Sequence, residues 1–381
     1  MAAPNNIYVD PAIAANSGTG SLADPYGDLQ YALDQTTHDA TNGDQFNVKA
    51  GTSELIAVSL SLTTYGTPSW DHPLIFRGYT AAAGDGGIGV IDMQANNNTI
   101  LTYAGDSIHF IDMHLTNTGT ASVLLIPFGV KYCRVVNCEI DNSTGNGINS
   151  QANHTRIINC NVHNIAGIGA YLSAAGNCAK NSYFSNGTNS FTSAIKIDAN
   201  DCIAELNIIS IGGASNGIEA VSGGFSSSVC HNSVLSSSGT GTGIKQATNT
   251  TILNALILDN VVEGFSGIGG VGYNIAASNR IVTAASNAAY NNTTNYTGST
   301  DYLLDLGDYN ETLLSSGFDK SGADTFANRF TYFAPANTGN MHGGAYPSGS
   351  RRDKGAVQHA DPAGGGGGGG GVSRSRQLVG I

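Results

Sequence analysis

The sequence predicts an all-β solenoid whose parallel strands stack turn on turn. A phrase made of a small residue, Ile and a variable residue recurs six times, at intervals of 20 to 27 residues. Its copies are Gly147-Ile148-Asn149, Gly167-Ile168-Gly169, Ala194-Ile195-Lys196, Gly217-Ile218-Glu219, Gly243-Ile244-Lys245 and Gly267-Ile268-Gly269. A second phrase, Asn beside apolar residues, runs out of phase with the first. Two interleaved phrases with one drifting period are typical of a repeat protein whose turns contact only their neighbours.

The composition fits a stacked β chain with a polar surface of low charge. Charged residues make up 12% of the 381 residues, about half the usual ~25%, whereas 40% are hydrophobic and 51 are Gly. The formal net charge of -12 disfavours binding to nucleic acid, which needs a basic surface. The chain has no run of about 20 apolar residues, so we expect no membrane span.

Four regions follow along the chain. Residues 1–50 predict an N-terminal cap and first coil: a strand at Ile7-Tyr8-Val9, an amphipathic helix over 25–33 and a strand at Phe46-Asn47-Val48. A helix placed across the first turn would protect its open edge. Residues 51–275 predict the parallel coils, with strands bounded by Gly, Asn and Asp. Residues 276–360 lose the period and gain aromatic residues, which predicts a packed C-terminal capping segment.

Residues 361–381 predict a Gly-rich linker and a docking tail. Eight consecutive Gly occupy 364–371, a composition typical of flexible linkers. The residues expected to dock on a partner are two cations and three apolar residues: Arg374, Arg376, Leu378, Val379 and Ile381. The apolar side chains would drive docking and the arginines would orient it.

The recurring Asn predicts a ladder of side chains at one corner of the solenoid. Its expected members are Asn137, Asn159, Asn181, Asn232 and Asn254. Cys138 and Cys160 each follow such an Asn, so we expect them in one column on neighbouring turns. A disulfide between them is possible, but free buried thiols are the favoured expectation. The cysteine spacing does not indicate a metal site.

On these features the chain resembles the right-handed, single-stranded parallel β-helix proteins of the pectate-lyase-like superfamily. The resemblance covers most of residues 5–360. Its further carriers are the opening Ile7-Tyr8-Val9-Asp10-Pro11, the 25–33 cap, Gly43-Asp44-Gln45-Phe46-Asn47-Val48, and Asp353-Lys354-Gly355-Ala356-Val357-Gln358 near the end. The superfamily includes polysaccharide lyases, glycoside hydrolases, phage tailspikes and non-catalytic virion or surface proteins. The resemblance therefore implies a fold and leaves the activity open.

The candidate catalytic residues lie in one column of the repeat. The position after the repeated Ile holds Lys196, Glu219 and Lys245 on successive turns, and Asp198 points to the same face as Lys196. A Lys base beside acids can abstract a proton alpha to a uronate carboxylate. A cross-strand ladder of alternating charge explains the same residues, and we favour it. The Asn-Thr-Asp, Asp-Asp, Gly-His-Gly and Arg-Ile-Lys motifs of polygalacturonase-like hydrolases are absent from the sequence.

The remaining candidate side chains are histidines and aromatics. His109 and His114 differ in parity along a strand, and His154 and His163 are not at equivalent positions of successive turns, so we expect no metal or catalytic role for them. Trp70, with Tyr65 and Tyr79 nearby, predicts a glycan-binding platform, because aromatic faces stack on sugar rings. Ordinary loop packing is an equally good explanation.

Taken together, the sequence predicts a non-enzymatic structural or adhesive β-helix, an appendage of a phage-type virion or a surface that docks through its C-terminal tail. The alternative is a polysaccharide lyase or glycoside hydrolase resembling a tailspike depolymerase. We expect no cofactor or metal, except Ca²⁺ if the chain is a lyase. The expected partners are other virion or surface proteins and host glycans, and the resemblance implies a possible homotrimer. Residues 1–6 show no secretory signal pattern, so the expected location is a virion or an extracellular surface.

Overall fold

The computed structural model describes residues 3–102, 105–186, 190–221, 227–246, 254–258, 260–275, 281–285 and 287–298. It is an all-β parallel solenoid, as the sequence predicted. The first elements are β1 Asn5–Val9, α1 Leu29–Gln35, β2 Asp44–Lys49, β3 Ser53–Leu55, β4 Leu60–Ser61, β5 Leu74–Tyr79, β6 Gly89–Asp92, β7 Leu101–Thr102, β8 Ile108–Ile111, β9 Met113–Gly119 and β10 Leu124–Ile126. The middle strands are β11 Arg134–Val136, β12 Glu139–Ser143, β13 Ile148–Ser150, β14 Arg156–Ile158, β15 Asn161–His163, β16 Ile168–Leu172, β17 Cys178–Lys180, β18 Tyr183–Ser185, β19 Ser193–Ile197, β20 Ile203–Glu205 and β21 Ile208–Ile211. The last are β22 Asn216–Ala220, β23 Ser227–Cys230, β24 Ser233–Ser236, β25 Thr242–Gln246, β26 Asn254–Leu258, β27 Val261–Glu263, β28 Val271–Ile275, β29 Ile281–Ala285, β30 Ala288–Tyr290 and β31 Thr294–Gly298.

Each full turn contributes one strand to each of three parallel sheets. In the part of the chain that the structure describes, sheet 1 has 11 strands, from β1 to β29. Sheet 2 has 10 strands, from β3 to β30, and sheet 3 has eight, from β10 to β31. Within a turn the chain passes from sheet 1 to sheet 2 to sheet 3, as β11, β12 and β13 do. Residues at equivalent positions therefore stack along the solenoid axis about 4.8 Å apart.

The core is made of inward columns that alternate with outward ones along each strand, as the pleat requires. In sheet 1, Phe46, Phe76 and Phe110 are in register; the Phe76 and Phe110 rings stack with centroids 5.2 Å apart, and the Phe46 ring is tilted against Phe76 at 5.9 Å. The inward column of sheet 3 includes Leu124, Ile148, Ala170, Ile195, Ile218, Ile244 and Tyr273, all buried. Of any two consecutive residues in a strand, one therefore packs in the core and the other faces outward.

The small residue of the repeated phrase is required by the close approach of the next turn. A Cβ atom on Gly217 would lie 2.3 Å from the carbonyl oxygen of Gly243 and 2.6 Å from the Val234 side chain. A Cβ atom on Gly243 would meet the Val262 side chain at 2.2 Å. In these copies of the phrase, a Gly that leaves room for the next turn thus directly precedes an Ile that packs in the core.

Two copies of the phrase are out of register, and that part of the prediction is wrong. Ala170, not Ile168, lies in the core column opposite Ile148 and Ile195. The interval from 148 to 170 is 22 residues, the same as that between Asn137 and Asn159. Ile268 lies in a turn and is 97% exposed, while Tyr273 occupies the core position. A longer loop between β27 and β28 moved the phrase out of the strand.

The predicted Asn ladder exists, but it consists of two adjacent columns. The outer column has left-handed backbone conformations, which Asn tolerates well, at Asn137, Asn159 and Asn181. Asn159 Nδ2 donates to Asn137 Oδ1 at 2.8 Å. The inner, buried column comprises Asn207, Asn232, Asn260 and Asn287, where each Oδ1 accepts the backbone N–H of the preceding turn. Asn232 belongs to this inner column, and Asn254 begins a strand instead.

Polar residues replace Asn in the inner column toward the N-terminus. Ser182 and Cys160 occupy it there, and Ser182 Oγ accepts the Cys160 N–H at 3.1 Å. All six cysteines are free, and Cys138 and Cys160 are both buried. Burial raises the pKa of the Cys138 thiol well above its usual range, so this thiol stays protonated.

Helix α1 packs against the first turns and meets a buried carboxyl group. Leu29, Ala32 and Leu33 of the helix are buried in the core. Asp28 caps the helix, and its side chain accepts the Tyr31 N–H at 2.6 Å. Glu54 of β3 is 4% exposed and accepts the Leu29 N–H at 3.0 Å. Burial raises the pKa of Glu54 to about 7.

Stacked strands continue beyond residue 275, through β29, β30 and β31, as far as Gly298. The rest of the predicted capping segment, and the linker and tail, lie outside the described residues. In the described ranges, no helix is long and apolar enough to cross a membrane.

Candidate functional site

The first candidate site is the outward column of sheet 3, where the catalytic candidates were predicted. The register places Asn149, Tyr171, Lys196, Glu219, Lys245 and Asn274 side by side on successive turns. Lys196, Glu219 and Lys245 are thus neighbours, as expected. Tyr171 occupies the place predicted for Gly169, and Asn274 that of Gly269, because the phrase is out of register there.

Glu219 in this column is bound by a lysine and a serine on the neighbouring turns. Lys245 Nζ lies 2.8 Å from Glu219 Oε1, and Ser193 Oγ donates to Glu219 Oε2 at 2.7 Å. Burial alone would raise the pKa of Glu219, but these two hydrogen bonds and the charge of Lys245 hold it below its usual range. Glu219 is therefore ionised near neutral pH and is a poor proton donor.

Lys196 and Asp198 are joined through Tyr171. The Lys196 ammonium lies over the Tyr171 ring, 5.3 Å from its centroid, and the Tyr171 hydroxyl donates to Asp198 Oδ2 at 2.8 Å. Burial and the Asp198 carboxylate raise the pKa of Tyr171 to about 12. The four candidates, on three turns, and Tyr171, on a fourth, therefore make cation–π, ionic and hydrogen-bonded contacts along one face, the geometry of a charge ladder.

The second candidate site is a cluster of two histidines and two carboxylates on the outer face of sheet 2, which the sequence interpretation missed. We call His114, Glu139, Asp141 and His163 the His–carboxylate cluster. They come from β9, β12 and β15, and Glu139 and Asp141 face outward together because they are two residues apart. His114 Nε2 is 3.0 Å from Asp141 Oδ1, and His163 Nε2 is 2.8 Å from Glu139 Oε1.

Two longer distances join each histidine to the second carboxylate. His114 Nδ1 is 3.9 Å from Glu139 Oε2, and His163 Nε2 is 3.9 Å from Asp141 Oδ2. His114, Glu139 and Asp141 each offer a ligand atom, and these atoms all lie within 4.8 Å of one another. The structure does not test the expectation that these histidines have no metal role, but it brings both of them to carboxylates. That expectation rested on comparing histidine with histidine, whereas each histidine meets acids from a neighbouring turn.

Mutual attraction sets the charge states in the cluster. The His163 hydrogen bond is the main cause that lowers the pKa of Glu139. Burial raises the pKa of Asp141, but the hydrogen bond and charge of His114 outweigh burial and lower it. Burial likewise opposes the charged form of His114, and the Asp141 hydrogen bond overcomes it and raises the His114 pKa. Both carboxylates are thus held in their anionic form.

The third candidate site is an exposed aromatic corner that precedes the strands of sheet 1, formed by Trp70, Tyr132 and His154. The Tyr132 and His154 rings stack with centroids 5.3 Å apart, and Trp70 lies 6.4 Å from Tyr132. Trp70 is 58% exposed and Tyr132 44%. The predicted platform included Tyr65 and Tyr79, and this is wrong, because both side chains are buried in the fold.

Two arginines stand beside the aromatic corner, and no counter-ion is found for them in the part of the chain that the structure describes. Arg134 and Arg156 are exposed, in register on β11 and β14, and follow Tyr132 and His154 by two residues. Among the described residues neither forms an ion pair. Lys131 is a third exposed cation next to Tyr132. Burial and the nearby Arg134 lower the pKa of His109 to about 4, so this histidine adds no charge at neutral pH.

The predicted docking residues Arg374, Arg376, Leu378, Val379 and Ile381 lie outside the described residues. The docking interface therefore stays a prediction.

Comparison with known proteins agrees with the architecture. No protein-family model and no curated protein sequence matches the chain. The solved structure of pectate lyase Pel9A matches with a TM-score of 0.54 and 13% identity, over 94% of this chain and 97% of that one. A rhamnogalacturonan lyase matches with a TM-score of 0.52 and 11% identity, over 82% of this chain and 90% of that one.

A third structure, Geobacillus virus E2 ORF18, matches with a TM-score of 0.38 and 12% identity, over 79% of this chain and 62% of that one. That likeness is too low to support a virion origin. The first two likenesses show that the chain has the pectate-lyase-like parallel β-helix fold.

Proposed function

We propose that this pectate-lyase-like β-helix is a non-catalytic, adhesive rod that binds an anionic polysaccharide along the aromatic corner. The observation that carries the proposal is the adjacent Arg134 and Arg156, which form no ion pair within the described residues, beside stacked Tyr132 and His154. In a chain with a net charge of -12, two like charges in register cost free energy unless an anion offsets them. Aromatic rings favour sugar faces and edges, and guanidinium groups favour carboxylates.

The spacing of the site suits a polymer that lies along the rod. Tyr132 and His154 hold equivalent positions on neighbouring turns, about 4.8 Å apart along the axis, and Trp70 lies 6.4 Å from Tyr132 in the loop before β5, so a sugar chain along the rod meets more than one ring. The two lyases with the same fold are named for pectate and rhamnogalacturonan, and this supports a polysaccharide as the ligand.

A structural role agrees with the mutual neutralisation of the sheet 3 column. Lys245 is engaged by Glu219, and Lys196 covers Tyr171, so neither lysine is poised as a free base. We further propose that the chain is part of a virion or surface appendage and that residues 364–381 dock it to a neighbouring protein. Deletion of 364–381 should abolish incorporation into the particle, and normal incorporation would contradict the docking role.

Binding to a purified uronate polymer tests the adhesive role. Polygalacturonate should retard the full chain in affinity electrophoresis, whereas uncharged dextran should not. The double variant Arg134→Gln, Arg156→Gln should weaken retardation by at least about tenfold, and Trp70→Ala should weaken it as well. Lys245→Gln is the matched control, since it removes a cation from another face. Equal retardation of the double variant and the wild type would refute the proposal.

The second candidate function is a polysaccharide lyase, and its specific support is the Lys196–Glu219–Lys245 register together with the fold of two lyases. The test incubates the wild type with polygalacturonate and rhamnogalacturonan, with and without Ca²⁺, and measures unsaturated product ends. Turnover that disappears in Lys196→Ala or Lys245→Ala but persists in the arginine double variant would favour the lyase over the adhesive rod.

A further inference from the structure

The His–carboxylate cluster on sheet 2 has the composition of a metal site rather than of a surface charge ladder. Imidazole nitrogen and carboxylate oxygen are the donor set that proteins use for Zn²⁺ and related divalent transition metals. Ca²⁺ and Mg²⁺ prefer oxygen ligands alone. The four side chains come from three consecutive turns, so the register of the solenoid, and not a local loop, brings them together.

The distances fit one cation held by three of the four groups. The ligand atoms of His114, Glu139 and Asp141 all lie within 4.8 Å of one another, and His114 Nε2 is 3.0 Å from Asp141 Oδ1. Three protein ligands with an open fourth position are a common set for Zn²⁺. The charges fit as well, because two carboxylates and one neutral imidazole together carry the two negative charges that a divalent cation balances. His163 Nε2, 2.8 Å from Glu139 Oε1, holds that carboxylate from the next turn.

Neighbouring polar groups hold the carboxylates in place. Asn142 Nδ2 donates to Asp141 Oδ2 at 3.0 Å and to Thr116 Oγ1 at 3.2 Å. Asn161 Nδ2 lies 3.5 Å from Glu139 Oε1. The Oδ1 atom of Asn161 is buried and has no hydrogen-bond partner among the described residues. Asn161 therefore adds one oxygen atom with an unused lone pair next to the cluster. Outer hydrogen bonds of this kind orient ligands in metal sites.

Access from solvent is compatible with metal entry. The side chains of His114 and His163 are 25% and 20% exposed, and that of Glu139 is 40% exposed. Asp141 is only 8% exposed and forms the floor of the cluster. A cation can therefore approach from the outer face and find its most buried ligand beneath it.

We propose that His114, Glu139 and Asp141 bind one divalent transition metal ion, with Zn²⁺ as the best fit, and that His163 positions Glu139 for it. The ion would act as a clip between β9 and β12, because its bonds join His114 to carboxylates that lie 25 and 27 residues further along the chain. This metal site is independent of the glycan-binding role, since the cluster and the aromatic corner involve different residues.

The test is a titration of the chelator-treated full chain with ZnCl₂ against a chromophoric chelator. We expect one equivalent of Zn²⁺ to bind and the Tm to rise, with no comparable rise from CaCl₂. His114→Ala should weaken binding by at least about tenfold, and His163→Ala should weaken it less, because His163 acts only through Glu139. His154→Ala and Glu219→Gln are matched controls that remove an imidazole and a carboxylate elsewhere, and both should bind as the wild type does.

A second measurement, made on the wild type, identifies the ligand atoms directly. It does not depend on the folding of a variant, and it distinguishes the cluster from cysteine ligands. Zinc-edge X-ray absorption of the wild type should show nitrogen and oxygen neighbours at about 2.0–2.1 Å, without the ~2.3 Å sulfur shell of thiolate ligands. Failure of the wild type to bind one equivalent, a sulfur shell, or unchanged affinity in both histidine variants would overturn the proposal.

Discussion

Replacement of Glu54 by Gln should remove a pH-dependent loss of stability from the N-terminal turns. Glu54 is 4% exposed, and its Oε1 accepts the Leu29 N–H at 3.0 Å. The Gln side chain can accept the same hydrogen bond but carries no charge at any pH. The variant therefore isolates the cost of ionising a buried carboxyl group.

The expected magnitude follows from the pKa. Burial raises the pKa of Glu54 to about 7 from its ordinary value of 4.5, and the charge of Asp28 adds to the increase. The folded protein thus retains this proton to higher pH than the unfolded chain does, so the stabilising contribution is full below about pH 4.5. It is lost as the pH rises through about 7. The difference of about 2.5 pKa units corresponds to about 3 kcal/mol.

Urea unfolding followed by circular dichroism, at intervals from pH 4 to pH 8.5, measures the effect. The free energies of unfolding of the wild type and Glu54→Gln should agree within about 0.5 kcal/mol at pH 4. At pH 8 the variant should be the more stable by up to about 3 kcal/mol. The difference between the two proteins is the informative quantity, because other titrating groups contribute equally to both. A difference that does not change with pH would refute the assignment of a raised pKa to Glu54.

Two further predictions concern the contacts between turns. Asn232→Ala should destabilise the fold by about 2–4 kcal/mol in urea unfolding, because it leaves the buried N–H and side-chain NH₂ of Asn207 without their acceptor. Asn159→Gly, which removes an exposed ladder bond but retains the left-handed backbone, should cost less than about 1 kcal/mol, and equal losses would contradict the distinction between the two columns. Gly217→Ala should lower the unfolding free energy by about 1–3 kcal/mol, since its Cβ would lie 2.3 Å from a backbone oxygen. Gly212→Ala, whose Cβ would meet Ser237 Oγ at 3.4 Å and Asn186 Nδ2 at 3.8 Å, should be close to neutral, and a similar loss there would argue against steric contact as the cause.

The sequence predicted the solenoid because its signals are local and repeat in every turn. The register of Lys196, Glu219 and Lys245 followed from counting along the phrase and is confirmed. Counting failed at Ile168 and Ile268, where the loops differ in length. The 22-residue interval of Asn137 and Asn159 contained the correct register, since it leads from Ile148 to Ala170.

The His–carboxylate cluster was missed because the sequence comparison was restricted to residues of one type. Glu139 and Asp141 share a face by their spacing of two, and His163 follows Asp141 by 22 residues, one turn. These spacings were sufficient to predict that the three side chains lie close together. The burial of Tyr65 and Tyr79 was not readable in the same way. Tyr65 lies in a turn, where no period separates inward from outward positions. Tyr79 ends β5 and is buried although alternation with Leu74 and Phe76 would place it on the outward side.

The dependence of each turn on its two neighbours alone has a mechanical consequence. A force that pulls on one end should peel the rod turn by turn, since the described strands of each turn pair only with those of adjacent turns. A turn of 22 residues, as from Asn137 to Asn159, releases about 75 Å of extended chain, and the 29 residues from Ile244 to Tyr273 release about 100 Å. Stretching a single molecule should therefore yield a sawtooth of unequal steps, whose peaks are highest where buried asparagines join the turns.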